Sequence, residues 1–257
     1  MYALLHELFE DKKGGEIFTC FGTWHLGYIL LTLVVAALLL FALRHREQEA
    51  RRRAARFFIG LAFGLYILDF FLMPFAYGEI DMEKLPFHVC TASCVACFLT
   101  SRVRALEKLR VPCALLGFVS NLVYLIYPAG VMWHAVHPLC YRVVQTLLFH
   151  AVMTVYGLLT ITAEREALAR RKTVLLSLLV VVGMTVWAVL GNALYDGAAG
   201  SYDHSFNWFF VLRDPFGLLP RETAPYIMPF VNIVLFSAVE LLIIGLARTR
   251  GPKRKRS

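Results

Sequence analysis

TWHLGYILLTLVVAALLLFAL, Thr23 to Leu43, holds no Asp, Glu, Lys or Arg, and RHREQEARRRAAR, Arg44 to Arg56, follows it with six arginines. An α-helix rises about 1.5 Å per residue, so the apolar stretch matches a hydrocarbon core about 30 Å thick. The arginine block behind it is what flanks a span on its cytoplasmic side. Together they describe a helix crossing a bilayer from outside to inside.

The rest of the chain repeats this alternation. Of its 257 residues, 59% are hydrophobic and 17% charged, against about 25% charged in a soluble domain. Apolar runs fall at roughly 23–43, 57–77, 86–101, 111–128, 139–162, 173–195 and 224–247. They predict an all-α polytopic membrane protein with seven transmembrane helices. The third run is short; Pro86 is expected in its first turn and Arg102 at its end.

Of the 26 Lys and Arg residues, twenty lie in 44–56, 102–110, 163–172 and the tail after 247; Lys12, Lys13, Lys84, Arg142, Arg213 and Arg221 lie on the other side. Heavy blocks on alternate connections predict an N-terminus outside and a C-terminus in the cytoplasm. The expected organisation is an external segment 1–22, a bundle over 23–247 and a basic cytoplasmic tail 248–257. The first 22 residues carry Glu7, Glu10, Asp11, Lys12, Lys13 and Glu16 and lack a signal-peptide pattern, so no cleaved leader is expected.

The net charge of +8 is accounted for by topology and by contact with anionic lipid headgroups, so membrane lipids are the expected partner and nucleic acid is not. Cys20, Cys90, Cys94, Cys97, Cys113 and Cys140 are scattered through or beside the spans and are expected to be mostly free thiols. No cofactor motif and no second cluster with metal-ligand spacing is present, so neither a cofactor nor a metal is expected. Two external connections stand apart: the acidic 78–85, and the long aromatic 196–223, whose Phe206, Trp208, Phe209, Phe210, Phe216 and Leu218 are expected to fold back over the bundle or dip into the interface.

Ionisable groups within spans are expensive and mark candidate sites. Here they are His25, Asp69, His88, Arg142, His150 and Glu240, joined by the amides Asn121, Gln145, Asn192 and Asn232. Arg142, Thr146, His150 and Thr154 recur every four residues, a polar stripe that must face protein or water, with Asp69 at similar depth as a partner for Arg142 or His150. A structural pairing or a helix-contact role is the leading expectation for Asp69 and for Glu240. Cys90, Cys94 and Cys97 share one helical face, where small residues favour close packing. Cys90 also lies near a helix N-terminus, which favours the thiolate, with His88 or a histidine of another span as base.

FGTWH (Phe21 to His25), LPFHVC (Leu85 to Cys90), QTLLFH (Gln145 to His150) and NWFFVLRDP (Asn207 to Pro215) stand in an order and spacing that resembles the YwaF-type family of bacterial integral membrane proteins, itself related to the eukaryotic transmembrane protein 164 family. In a bacterium such a multi-pass protein would sit in the plasma membrane. The eukaryotic branch resembles acyltransferases that move a fatty acyl chain between phospholipids through a cysteine thioester supported by histidine. That resemblance implies a phospholipid-acting acyltransferase or hydrolase and carries over His88 and His150 as catalytic candidates, to which Cys90 is added by its place near a helix N-terminus. His25, Asp69, Arg142, Gln145 and Asn207 are the substrate-binding candidates. The eukaryotic pattern sets its thiol between the proline and the histidine, where this chain has Phe87. The alternative is a non-catalytic transporter or small-ligand-binding module using a pocket near the outer face lined by His25, His88, His150 and Asn207.

Overall fold

The computed structural model describes residues 15–77, 82–132, 135–195 and 207–249. These residues are helical, with no strand among them: α1 (Thr23–Leu43), α2 (Gln48–Tyr77), α3 (Val89–Arg102), α4 (Arg110–Ile126), α5 (Tyr141–Ala163), α6 (Arg171–Tyr195) and α7 (Ala224–Thr249), with short turns of helix between them. Six helices are long and apolar enough to cross a membrane; α3, at 14 residues, is a shorter apolar helix and would rise only about 21 Å. The structure thus carries six candidate spans where the hydropathy pattern predicts seven.

Boundaries differ most where charge masks helicity. The second helix begins at Gln48, nine residues before the apolar run, because Glu, Ala and Arg are good helix formers. Arg51 then hydrogen-bonds backward, donating to the carbonyls of Leu43 (3.1 Å), Arg46 (3.1 Å) and Arg44 (2.7 Å) at the end of α1. The last carbonyls of a helix lack an intrahelical partner, and Arg51 joins Arg46 N, which donates to Leu43 O at 3.1 Å, in filling that need. The third helix starts at Val89 rather than at Pro86, since His88 is held extended as its N-cap, at φ −68° and ψ 141°.

The chain forms two compact units, Met1–Leu85 with Ser120–Thr160 and Pro86–Val119 with Ile161–Ser257. In the first, Phe18, Leu125, Val131, Val136, Cys140, Val143 and Leu147 form a buried cluster against which Tyr124 and Ala151 pack. Helix α1 is lined instead by exposed Leu30, Leu31, Leu38 and Phe41, as a lipid-facing helix requires.

In the second unit, Val111, Leu115, Ile161, Leu168 and Ile244 form a core. Around it the basic side chains serve as braces. Arg110 pairs with the buried Glu164 at 2.7 Å, Arg165 donates to Ala247 O at 3.0 Å, and Arg248 donates to Ala169 O at 3.0 Å. No disulfide forms among the six cysteines.

Candidate functional site

In the first unit, His150 of α5 is 5% exposed and donates from Nδ1 to Oδ1 of Asn121 at 2.7 Å. An amide oxygen only accepts, so in this contact Nδ1 carries a proton. Tyr124, one helical turn along α4 from Asn121, stacks on the same imidazole with centroids 3.7 Å apart and planes 12° apart. Phe149 meets it edge-on at 5.1 Å. The ring is fixed by a hydrogen bond in its plane and an aromatic face above it. Asn121 was visible in the sequence as an amide inside a span, yet nothing local linked it to a histidine 29 positions away.

The rest of the α5 stripe points into protein. Thr154 is buried and donates to His150 O at 2.8 Å, Thr146 donates to Gln145 Oε1 at 3.4 Å, and Arg142 is half-buried on the preceding turn. Gln145, five positions before His150, is 9% exposed.

His25 is built differently. Phe21, in left-handed conformation at φ 58°, donates its N–H to His25 Nδ1 at 2.9 Å, and His25 Nε2 donates to Leu125 O at 2.7 Å. Both ring nitrogens are engaged with backbone, so FGTWH is a helix start stitched to the end of α4. Trp24 adds a bond from Nε1 to Glu16 at 2.8 Å.

Asp69 pairs with neither Arg142 nor His150. Its partner is Lys84, at 2.8 Å, with the carboxylate side chain 4% exposed, and Tyr66 donates to Lys84 O at 2.9 Å. Spacing along one helix could not reveal this pair, because Lys84 arrives from the acidic connection. Of that connection, 78–81 lies outside the described residues.

In the second unit, LPFHVC and NWFFVLRDP come together. Phe87 is 8% exposed and packs against Trp208 at 4.9 Å, Trp187 at 5.0 Å and Tyr195 at 5.6 Å. Trp187 also donates to Pro86 O at 2.7 Å. A Cβ on Gly191 would run into the Phe87 ring, so glycine there makes the slot that the phenyl fills. His88 meets Phe210 edge-on at 5.7 Å. Cys90, Cys94 and Cys97 are all buried, and Ser93 donates to Cys90 O at 3.0 Å.

The turn that delivers Trp208 and Phe210 is strained. Asn207, Phe209 and Phe210 have φ of 49°, 57° and 52°, a region costing about 1–3 kcal/mol for each residue with a side chain. Three amides hold it. Asn192 accepts from Trp208 N at 3.0 Å and donates to Trp208 O at 3.0 Å; Asn232 donates to Phe209 O at 2.6 Å. Asn207 accepts from Leu212 N and Arg213 N, each at 2.9 Å. Trp208 and Phe209 are buried, so this part of the connection folds back as expected, while Phe216 and Leu218 are exposed and Phe206 lies outside the described residues. Asn192 and Asn232 were legible only as polar groups in spans.

Glu240 of α7 is fully buried, and neither carboxylate oxygen has a hydrogen-bond partner among the described residues; of the two expected roles, pairing is not seen there and burial at a helix contact is.

Long apolar helices that hide their polar groups from lipid define an integral, multi-pass membrane protein of the all-helical kind. The sequence model of the TMEM164 family matches residues 20–247, most of the chain. The protein belongs to the TMEM164 family. Neither the curated proteins nor the solved structures give a match.

Proposed function

We propose that the protein acts on membrane phospholipids as an acyltransferase or hydrolase, with His150 as the general base. The observation that carries this reading is the Asn121–His150 bond stacked on Tyr124. A base is effective when a third group fixes its tautomer and orientation. Here Asn121 directs the proton to Nδ1, and Nε2 is the nitrogen that takes a proton. As an attacking oxygen or sulfur bonds to the ester carbonyl carbon, its proton passes to Nε2; the same proton then goes to the departing glycerol oxygen. The surroundings are lipid, which supplies the ester.

Arg142 and Gln145, of the same unit as His150, are proposed as polar contacts for the lipid headgroup. Separately, within the second unit, Cys90 is proposed as the nucleophile of a thioester route with His88 as its histidine and Asn207 as a polar contact for the lipid. His25 and Asp69 are proposed as binding residues that also position α1 and the Lys84 turn, through the bonds of His25 to Phe21 and Leu125 and of Asp69 Oδ2 to Lys84. The finer placement in the bacterial YwaF-type branch, and with it in a plasma membrane, is proposed on the four motifs FGTWH, LPFHVC, QTLLFH and NWFFVLRDP, and seven spans with an outer N-terminus are proposed on the alternating basic blocks.

The test is incubation of purified protein in nanodiscs with acyl-labelled phospholipid. A hydroxylamine-sensitive adduct lost in Cys90→Ser supports the thioester route; acyl release that persists in Cys90→Ser and is lost in His150→Ala supports direct attack. No label transfer by either route, with a bound solute released on His150→Ala, gives the binding-module reading instead.

A further inference from the structure

We propose that Asn192 and Asn232 are positioning residues for His88, acting through the Trp208–Phe210 turn and its left-handed Phe209 and Phe210. His88 is the N-cap of α3, yet its side chain makes no capping hydrogen bond. Its ring lies against the edge of Phe210. That phenyl can stand there only because Phe209 and Phe210 hold positive φ, a conformation that a bulky residue adopts only under outside constraint. The constraint is visible: both backbone polar groups of Trp208 are gripped by Asn192, and the carbonyl of Phe209 by Asn232. Both amides are buried, so neither can exchange its backbone partner for water without cost. Relaxing the turn to ordinary φ would swing Phe210 away from the imidazole and remove this ring contact. Chemical use of that contact rests on the lipid-acting reading; the contact itself does not.

Histidine-selective isotope labelling of the protein in nanodiscs reads it directly, with His88→Gln assigning the resonance. In the wild type, the ring-current displacement from Phe210 marks the His88 C–H signals. Asn232→Asp and Asn192→Asp keep side-chain volume but lose the donor, and the His88 signals are expected to lose the displacement from Phe210 while those of His150 stay. Phe210→Leu is expected to do the same and Phe210→Tyr to preserve the wild-type position; these two decide the matter where an asparagine variant fails to fold. Unchanged His88 signals in Phe210→Leu, or in a folded Asn232→Asp protein, overturn the proposal. Absence of lipid turnover in every variant, with His88 signals moving as described, removes the lipid-acting reading and leaves the positioning intact.

Discussion

His150 and Asn121 are joined at 2.7 Å across α5 and α4, with Tyr124 stacked over the imidazole. Truncating Asn121 to alanine removes the acceptor of a buried N–H, a loss of about 1–3 kcal/mol in stability. Turnover on phospholipid is expected to fall about 10²–10⁴-fold in His150→Ala. Asn121→Ala is expected to fall by less, and Asn121→Asp, which keeps an acceptor oxygen, to lie above Asn121→Ala. Equal rates for the alanine and aspartate variants would show that orientation by Asn121 is immaterial.

The Asp69–Lys84 pair is buried on the carboxylate side. Breaking such a pair from one side leaves a charge stranded, so Lys84→Met is expected to destabilise by about 3–5 kcal/mol. Lys84→Met with Asp69→Leu should recover much of that. Denaturation in mild detergent measures both; a single variant no less stable than the double one contradicts the pairing.

Gly191 and Phe87 are expected to be coupled. Gly191→Ala forces a methyl into the phenyl ring, at about 1–3 kcal/mol for overpacking. Combined with Phe87→Leu, the loss should be less than the two single losses added, a coupling that a double-mutant cycle reads as about 0.5–3 kcal/mol. Strict additivity would mean that the slot is not shared.

Glu240 is buried without a hydrogen-bond partner among the described residues. Replacing such a group by an apolar residue of similar size relieves its desolvation cost, about 1–3 kcal/mol in proteins. Glu240→Leu is therefore expected to raise the melting temperature, and a lowered one would show that the carboxyl has a partner in the membrane.

Asp214 answers to pH. Its carboxylate accepts from Phe216 N at 2.9 Å, and from Leu218 N and Leu219 N at 2.6 and 3.0 Å; the bond from Phe216, followed by those from Leu218 and Leu219, lowers its pKa below the ordinary value. A group whose pKa is lower folded than unfolded stabilises above its unfolded value, and the gain is lost as pH falls through the folded one. The turn at 214–219 is expected to loosen in acid, read by amide exchange at Leu218, with Asp214→Asn loosened at every pH.

Much of the fold was legible because lipid imposes length and polarity so strictly: α1 has the bounds that its uncharged run predicts. The early start of α2 was hidden, since a helix of Arg, Glu and Ala carries no apolar stripe. Six helices rather than seven reach crossing length because the third apolar run is short in the sequence and its helix begins only after the extended His88. The site divided likewise. His150 stood out as an ionisable group in a span, but its partners depend on how helices meet, as does the choice of Lys84 by Asp69. Least legible was the Trp208–Phe210 turn, because phenylalanine at positive φ contradicts local preference and is enforced only by amides from distant helices.

Purified protein in nanodiscs, supplied with a phospholipid carrying a heavy-isotope acyl chain and an acyl-acceptor lipid, gives the most direct test by mass spectrometry. The label should appear in acceptor or as free fatty acid in the wild type and vanish in a folded His150→Ala variant. Label that stays wholly in the donor lipid, or leaves it equally fast without the imidazole, would contradict His150 as the base of a lipid-acting enzyme.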